Sequence, residues 1–102
     1  MIKKLLALRI FDDDNGIMNK NVIDVNGSIL SISQFTLYAN TKKGNRPSYM
    51  NALGGSEAIK LYDLFNKKLS EYIHVETGIF GSDMKVLITN DGPVTIIIII
   101  IC

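Results

Sequence analysis

Four consecutive residues, Ser33-Gln34-Phe35-Thr36, bring two hydroxyls, a carboxamide and an aromatic ring onto one short run of chain. Hydroxyls can attack or polarise a carbonyl, but an activated threonine needs an adjacent base. The sequence offers no obvious base beside Thr36. A second group lies just downstream, where Lys42, Lys43 and Arg46 crowd one loop around Gly44, Asn45 and Pro47. A third is Asn90-Asp91-Gly92-Pro93, whose residues all favour turns. Each also has an ordinary structural reading: polar positions on a strand, a solvated loop tip and a plain turn. His74, the one histidine, follows a helix end and suits a solvated or dipole-facing position. Asp12–Asp14 lacks the alternating ligand spacing of a calcium loop. There is no P-loop, GxGxxG, GxSxG, HExxH or CxxC.

These residues must be carried by secondary structure, and the pattern predicts it. Ile2, Leu5, Leu6 and Arg9 have helical spacing over 2–9, without an N-cap before them. The stretch 12–28 is rich in Asp, Asn and Gly, which predicts turns with one extended piece around Val22–Val25. Asn26-Gly27 is a strong hairpin-turn pair. Ile29–Ala39 reads as an interior strand, with Gln34 and Thr36 on one face and Ser33 on the other. A long loop, Asn40–Gly55, follows; such loops are often functional. Ser56 is placed as an N-cap, and Ile59, Tyr62, Phe65, Leu69 and Tyr72 form the apolar stripe of a helix over Glu57–Ile73. Val75–Ile79, Met84–Thr89 and Val94–Ile101 read as strands. The order predicts an α+β fold with a mainly antiparallel sheet, in one domain spanning 1–102.

Composition agrees with a globular chain. Of 102 residues, 47% are hydrophobic and 21% charged, which excludes a disordered polyelectrolyte. The net charge of +1 means that any nucleic-acid contact must come from a local basic patch. One cysteine, Cys102, cannot form an internal disulfide, and one histidine cannot build a His-rich metal site. Met1–Phe11 is too short and too interrupted for a signal peptide, so it reads as the end of a helix. Ile96–Ile101 is six isoleucines, far short of the roughly 20 residues of a membrane helix. It reads instead as a strand buried on both faces, and as an aggregation hazard if exposed. The expected compartment is the cytoplasm.

Two segments sharpen the reading. Ser33-Gln34-Phe35-Thr36-Leu37-Tyr38-Ala39 with Thr41–Ser48, and Asn90-Asp91-Gly92-Pro93-Val94-Thr95, together resemble the D-aminoacyl-tRNA deacylases. That family carries a Ser-Gln-x-Thr strand motif and an Asn-x-Gly-Pro-Val-Thr motif in this order. The resemblance extends to Leu8-Arg9-Ile10-Phe11 and to Val75–Met84, and so covers essentially the whole chain.

The resemblance implies a barrel-like α+β fold with two helices, no cofactor and no metal. It implies hydrolysis of the ester joining a D-amino acid, or glycine mischarged on tRNA-Ala, to the 3′ end of tRNA. It also implies a homodimer with no membrane association, in which a cis Gly92-Pro93 peptide enters the partner subunit's active site. There its main-chain groups hold the amino group and leave no room for an L side chain, a test that works against the wrong enantiomer whatever its side chain. Ser33, Gln34, Phe35 and Thr36 would form the pocket floor, with Ser33, Gln34 and Thr36 positioning the ester and polarising its carbonyl. Phe80 and Met84 match positions near the terminal adenosine. Lys42, Lys43 and Arg46 would meet acceptor-end phosphates.

The family's chains begin earlier, with N-terminal strands carrying a Gln-Arg-Val segment that this sequence lacks. Three readings follow: an active deacylase of abbreviated form, a non-catalytic derivative that binds tRNA ends or a full-length homologue, and a fragment of a longer chain.

Overall fold

The computed structural model describes residues 1–100 and is α+β with two α-helices, as the sequence predicts. Ile101, the end of the last expected strand, and Cys102 lie outside the described residues. The chain divides into two units: Met1–Ser28 with Met84–Cys102, and Ile29–Asp83.

In the first unit, α1 (Ile2–Ala7) buries Leu6, and the Leu8 N–H closes on the Lys4 carbonyl at 3.2 Å. β1 (Phe11–Asp12) and β2 (Met18–Lys20) form an antiparallel pair with an irregularity between Phe11 and Asp12. The connecting turn is built on Asp13. Its Oδ1 accepts the Asn15 N–H at 2.9 Å and the Ile17 N–H at 3.1 Å. Arg9 Nη1 donates to Asn19 Oδ1 at 2.8 Å, tying the chain after α1 to β2.

The extended piece thus falls at Met18–Lys20, and Val22–Val25, expected to be extended, is a turn. The reason is local. Asn21 and Asp24 exchange side-chain-to-backbone bonds at 2.8 and 3.0 Å, offering the backbone an alternative to a ladder. Asn26 (φ 54°) and Gly27 complete this turn, which leads into β3 without forming a hairpin. Gly27 is required by packing, because a Cβ there would meet Val22 Cγ2 at 2.8 Å.

In the second unit, β3 (Ile29–Ser31) pairs in parallel with β4 (Val75–Thr77), and α2 (Gly55–Leu69) lies on the connection between them. A parallel pair demands a crossover of this kind. Tyr62 on α2 donates its hydroxyl to the Ser31 carbonyl at 2.6 Å. Leu69 is fully buried. The helix begins one residue before Ser56, with Gly54 as N-cap, so Ser56 lies inside the first turn. It ends at Leu69, and 70–73 form turns that return the chain to β4.

Ile29–Ala39 is a strand only as far as Ser31. The β4 ladder runs out at Gly78, whose N–H makes the last, long bond to Ser31 O at 3.4 Å. With no neighbour to pair with, the backbone satisfies itself by a 3-10 helix over Phe35–Tyr38, a short i→i+3 turn. Val75–Ile79 likewise shortens to Val75–Thr77. Met84–Thr89 and the described part of Val94–Ile101 form no strands. β-propensity reports fit to a paired, half-buried surface, and no described strand pairs with these segments. Ile97 and Ile99 are accordingly exposed, at 83% and 77%, where burial on both faces was expected. The sheets are one antiparallel and one parallel pair, and no closed barrel forms among the described residues.

Leu69→Ala should cost about 2–5 kcal/mol by loss of burial and the cavity it leaves. Leu61→Ala, on the same helix but 61% exposed, should fall within about 0.5 kcal/mol of the parent. Urea denaturation of both variants checks this. The Asp13 carboxyl is held below the ordinary aspartate value by the Ile17 and Asn15 N–H groups, in that order. A depressed folded value gives stability above the unfolded value that is lost as pH falls through the folded one. The Asn15 and Ile17 amide resonances should therefore shift with a midpoint below 3.8, the ordinary value. A midpoint at or above it would contradict the turn geometry.

Candidate functional site

The Ser-Gln-Phe-Thr segment runs from the end of β3 into the 3-10 helix, so the alternation of a strand does not govern its side chains. Ser33 and Thr36 are half-buried, while Gln34 and Phe35 are exposed. Gln34 Nε2 donates to Thr36 Oγ1. Having accepted that bond, the Thr36 hydroxyl is free to donate its own proton outward, and its donor strength rises by cooperativity. No carboxylate, imidazole or amine among the described residues takes that proton. His74 is engaged with Glu76 at 2.9 Å, both exposed. The arrangement suits hydrogen-bond donation to a carbonyl oxygen and does not suit nucleophilic attack. The Phe35 ring is anchored edge-on against Tyr49, with centroids 5.0 Å apart at 73°.

The basic loop follows directly. Asn40 and Ser48 close its neck with two backbone bonds, 2.8 Å from Asn40 N to Ser48 O and 2.9 Å in return. Inside it, Asn40 Oδ1 accepts the Lys42 N–H at 3.0 Å, and Gly44 turns the chain at φ 68°. Lys42, Lys43 and Arg46 are exposed. None has a carboxylate within 4 Å among the described residues. No acidic residue occurs between Asp24 and Glu57, so these three are the only charges on that stretch. A net charge of +1 thus conceals a local basic surface.

Phe80 is half-buried beside Tyr62, with ring centroids 5.8 Å apart and planes tilted by 43°. The same Tyr62 hydroxyl holds Ser31, two residues before Ser33. One tyrosine on α2 therefore braces both the approach to the motif and the Phe80 ring.

Ser33–Thr36, Lys42, Lys43, Arg46 and Phe80 all belong to the second unit. Met84, half-buried, and the exposed Gly92 and Pro93 belong to the first. The Gly92-Pro93 peptide is cis. Gly92 has φ +119°, a conformation L side chains rarely adopt, and a Cβ there would meet Val94 N at 3.3 Å. Sequence reasoning did not find Tyr49, nor the brace supplied by the Tyr62 hydroxyl. Tyr62 carried a signal, since a tyrosine in an apolar stripe needs a partner for its O–H. Tyr49 carried none, because its contact with Phe35 spans a loop that no spacing rule crosses.

No helix among the described residues is long and apolar enough to cross a membrane. No group of three or more His, Cys, Asp or Glu able to hold a metal occurs among them.

Residues 1–99 match the family model described as D-Tyr-tRNA(Tyr) deacylase. A solved structure described as c-Myc DNA Unwinding Element Binding Protein is similar in sequence and fold, with 38% identity and a TM-score of 0.82. That match covers 91% of this chain and 64% of the other, so the chain spans somewhat under two thirds of that protein's length.

Proposed function

The chain belongs to the D-Tyr-tRNA(Tyr) deacylase family, and from that membership we propose that it hydrolyses the ester of D-aminoacyl-tRNA, releasing the D-amino acid and free tRNA. The observation that carries the reading is the Thr36 hydroxyl, oriented as a donor by Gln34 and one short turn from an acid-free loop bearing three cations with no carboxylate within 4 Å among the described residues.

Phosphates of the acceptor end dock on Lys42, Lys43 and Arg46, which gives sequence-independent and salt-sensitive affinity. The terminal adenosine rests against Phe80, which Tyr62 braces. The ester carbonyl accepts a hydrogen bond from Thr36, with Ser33 and Gln34 holding it in place. Charge that builds on that oxygen is stabilised by a donor already in position. Water attacks the carbonyl carbon, the acyl–oxygen bond breaks, and the tRNA ribose hydroxyl leaves with a proton. The main chain at Gly92-Pro93, supplied across a homodimer, excludes the L side chain and admits D-amino acids and glycine, including glycine mischarged on tRNA-Ala. The role is chirality proofreading in the cytoplasm, without metal or cofactor.

A second reading is a non-catalytic module that binds tRNA ends or a full-length homologue. It is favoured by the absence of any paired strand over residues 84–100, which include Gly92 and Pro93. The similar solved structure is itself named for binding DNA, and single-strand binding fits the same basic loop.

Purified protein given one tRNA charged with D-tyrosine and then L-tyrosine decides between these readings. The D ester should be lost rapidly and the L ester spared; loss of neither supports the second reading. Gly92→Ala should narrow the D/L rate ratio, and an active variant with the ratio unchanged would refute rejection by the main chain. In the same assay, Thr36→Val should lower kcat about 10²–10³-fold, the usual loss for one oxyanion donor. Thr36→Ser should retain most of the rate.

A further inference from the structure

Beside the 3-10 helix lies an open hollow of about 420 Å³, lined by Leu37, Tyr38, Asn40, Thr41, Lys42 and Asn51. We propose that it binds the nucleotide preceding the terminal adenosine, with the base stacked on Tyr38 and the phosphate on Lys42. The proposal rests on tRNA 3′ ends being the substrate, and to the phosphate contact already assigned to Lys42 it adds a base-stacking position on Tyr38.

Four observations carry it. The volume falls in the range of small-molecule sites, roughly 300–1,000 Å³. Every lining residue is exposed, so the hollow is a trough through which a polymer can pass. Tyr38 is 65% exposed, and its hydroxyl has no partner among the described residues. An uncovered ring next to a cation in acid-free surroundings is the chemistry that recognises a single-stranded nucleotide. Finally, the site is held in shape. The Asn40–Ser48 bridge fixes the neck of the loop, and the Ala39 N–H to Thr36 carbonyl bond, 3.2 Å, closes the turn that presents Tyr38.

Asn40 Oδ1 accepts the Lys42 N–H, which holds the carboxamide in place with its NH2 group available to donate. Among the described residues, nothing engages the Asn51 carboxamide, which can both donate and accept. Thr36 and Tyr38 belong to the same short 3-10 helix, so the hollow adjoins the motif.

Binding of synthetic trinucleotide CCA and of adenosine 5′-phosphate, measured by calorimetry at fixed salt, tests the subsite without using hydrolysis. The parent should bind CCA at least about tenfold more tightly than adenosine 5′-phosphate, the scale of one stacked base. Tyr38→Ala should bring the two affinities within about twofold, while Tyr38→Phe keeps the difference. Lys42→Ala should lower the slope of log affinity against log salt by about 1 for CCA. Unchanged Ile29 and Gly78 amide resonances, which report the β3–β4 ladder of the same unit, confirm that each variant is folded. Equal parent affinities, or an undiminished CCA preference in Tyr38→Ala, overturn the subsite. Hydrolysis is scored separately. A parent that prefers CCA but hydrolyses no D ester retains the subsite and loses the enzymatic reading. Hydrolysis without CCA preference does the reverse.

Discussion

A three-residue parallel ladder, Ile29–Ser31 on Val75–Thr77, sets the geometry of everything downstream of it in its unit. Because it is parallel, the chain between its strands must travel away and return, and α2 occupies that return. Because it is short, the chain leaves the sheet just before Ser33. The Ser-Gln-Phe-Thr segment then has no neighbour to bond with and curls into a 3-10 turn. That curl lets Gln34 reach Thr36 two residues on, a pairing that a strand also permits on one face. It also swings the next residues, Leu37 and Tyr38, out toward the basic loop. Tyr62 stabilises the junction by bonding to the Ser31 carbonyl. A part-buried bond of this kind contributes about 0.5–1.5 kcal/mol, and its larger effect is to fix where the ladder stops.

The elements legible in the sequence are those whose information is local. α2 has a repeating apolar stripe with a charged opposite face, and it forms with Leu69 at its buried point. α1 follows from the spacing of Ile2, Leu5 and Leu6. The basic loop was visible because Gly, Asn and Pro interrupt both periodicities there. The strands were less legible. Ile29–Ala39 and Val94–Ile101 have strong β-propensity, but a strand is a property of two segments, and propensity describes one. Where the partner runs out, as at Gly78, the same residues turn or stay unpaired. The turn over Val22–Val25 was misread for a related reason. β-Branched residues favoured extension, and the reciprocal bonds of Asn21 and Asp24 prevailed.

The site was legible in its residue types and not in its connections. Ser33, Gln34 and Thr36 could be named from the sequence, as could the absence of a base. The orientation of the Thr36 hydroxyl could not, since it depends on the 3-10 turn. That orientation decides the chemistry. A hydroxyl whose oxygen already accepts a bond, with no base to remove its proton, is a better donor than nucleophile. In the proposed function that donor would act on an aminoacyl ester, whose alcohol leaves more readily than an amine and has a ribose hydroxyl beside it. The basic loop was similarly half-visible: three cations are easy to count, but their effect comes from the acid-free stretch around them. Counter-charges within a Debye length would cancel much of their field.

The two units differ in how firmly they hold their motifs. Ser33–Thr36 and Phe80 are tied to Tyr62, Tyr49 and the ladder by named bonds and ring contacts. Gly92 and Pro93 stand on a segment with no ladder of its own, where Ile97 and Ile99 expose most of their surface to water. Burying such side chains yields about 1.5–3 kcal/mol each, so a surface that covers this segment also orders it. In the proposed function, affinity for the end of a nucleic acid and polarisation of an ester would draw on the braced unit, and discrimination between D and L forms on the backbone around Gly92. On that proposal, stereochemical selectivity would depend most on what packs against residues 84–100, and binding the least.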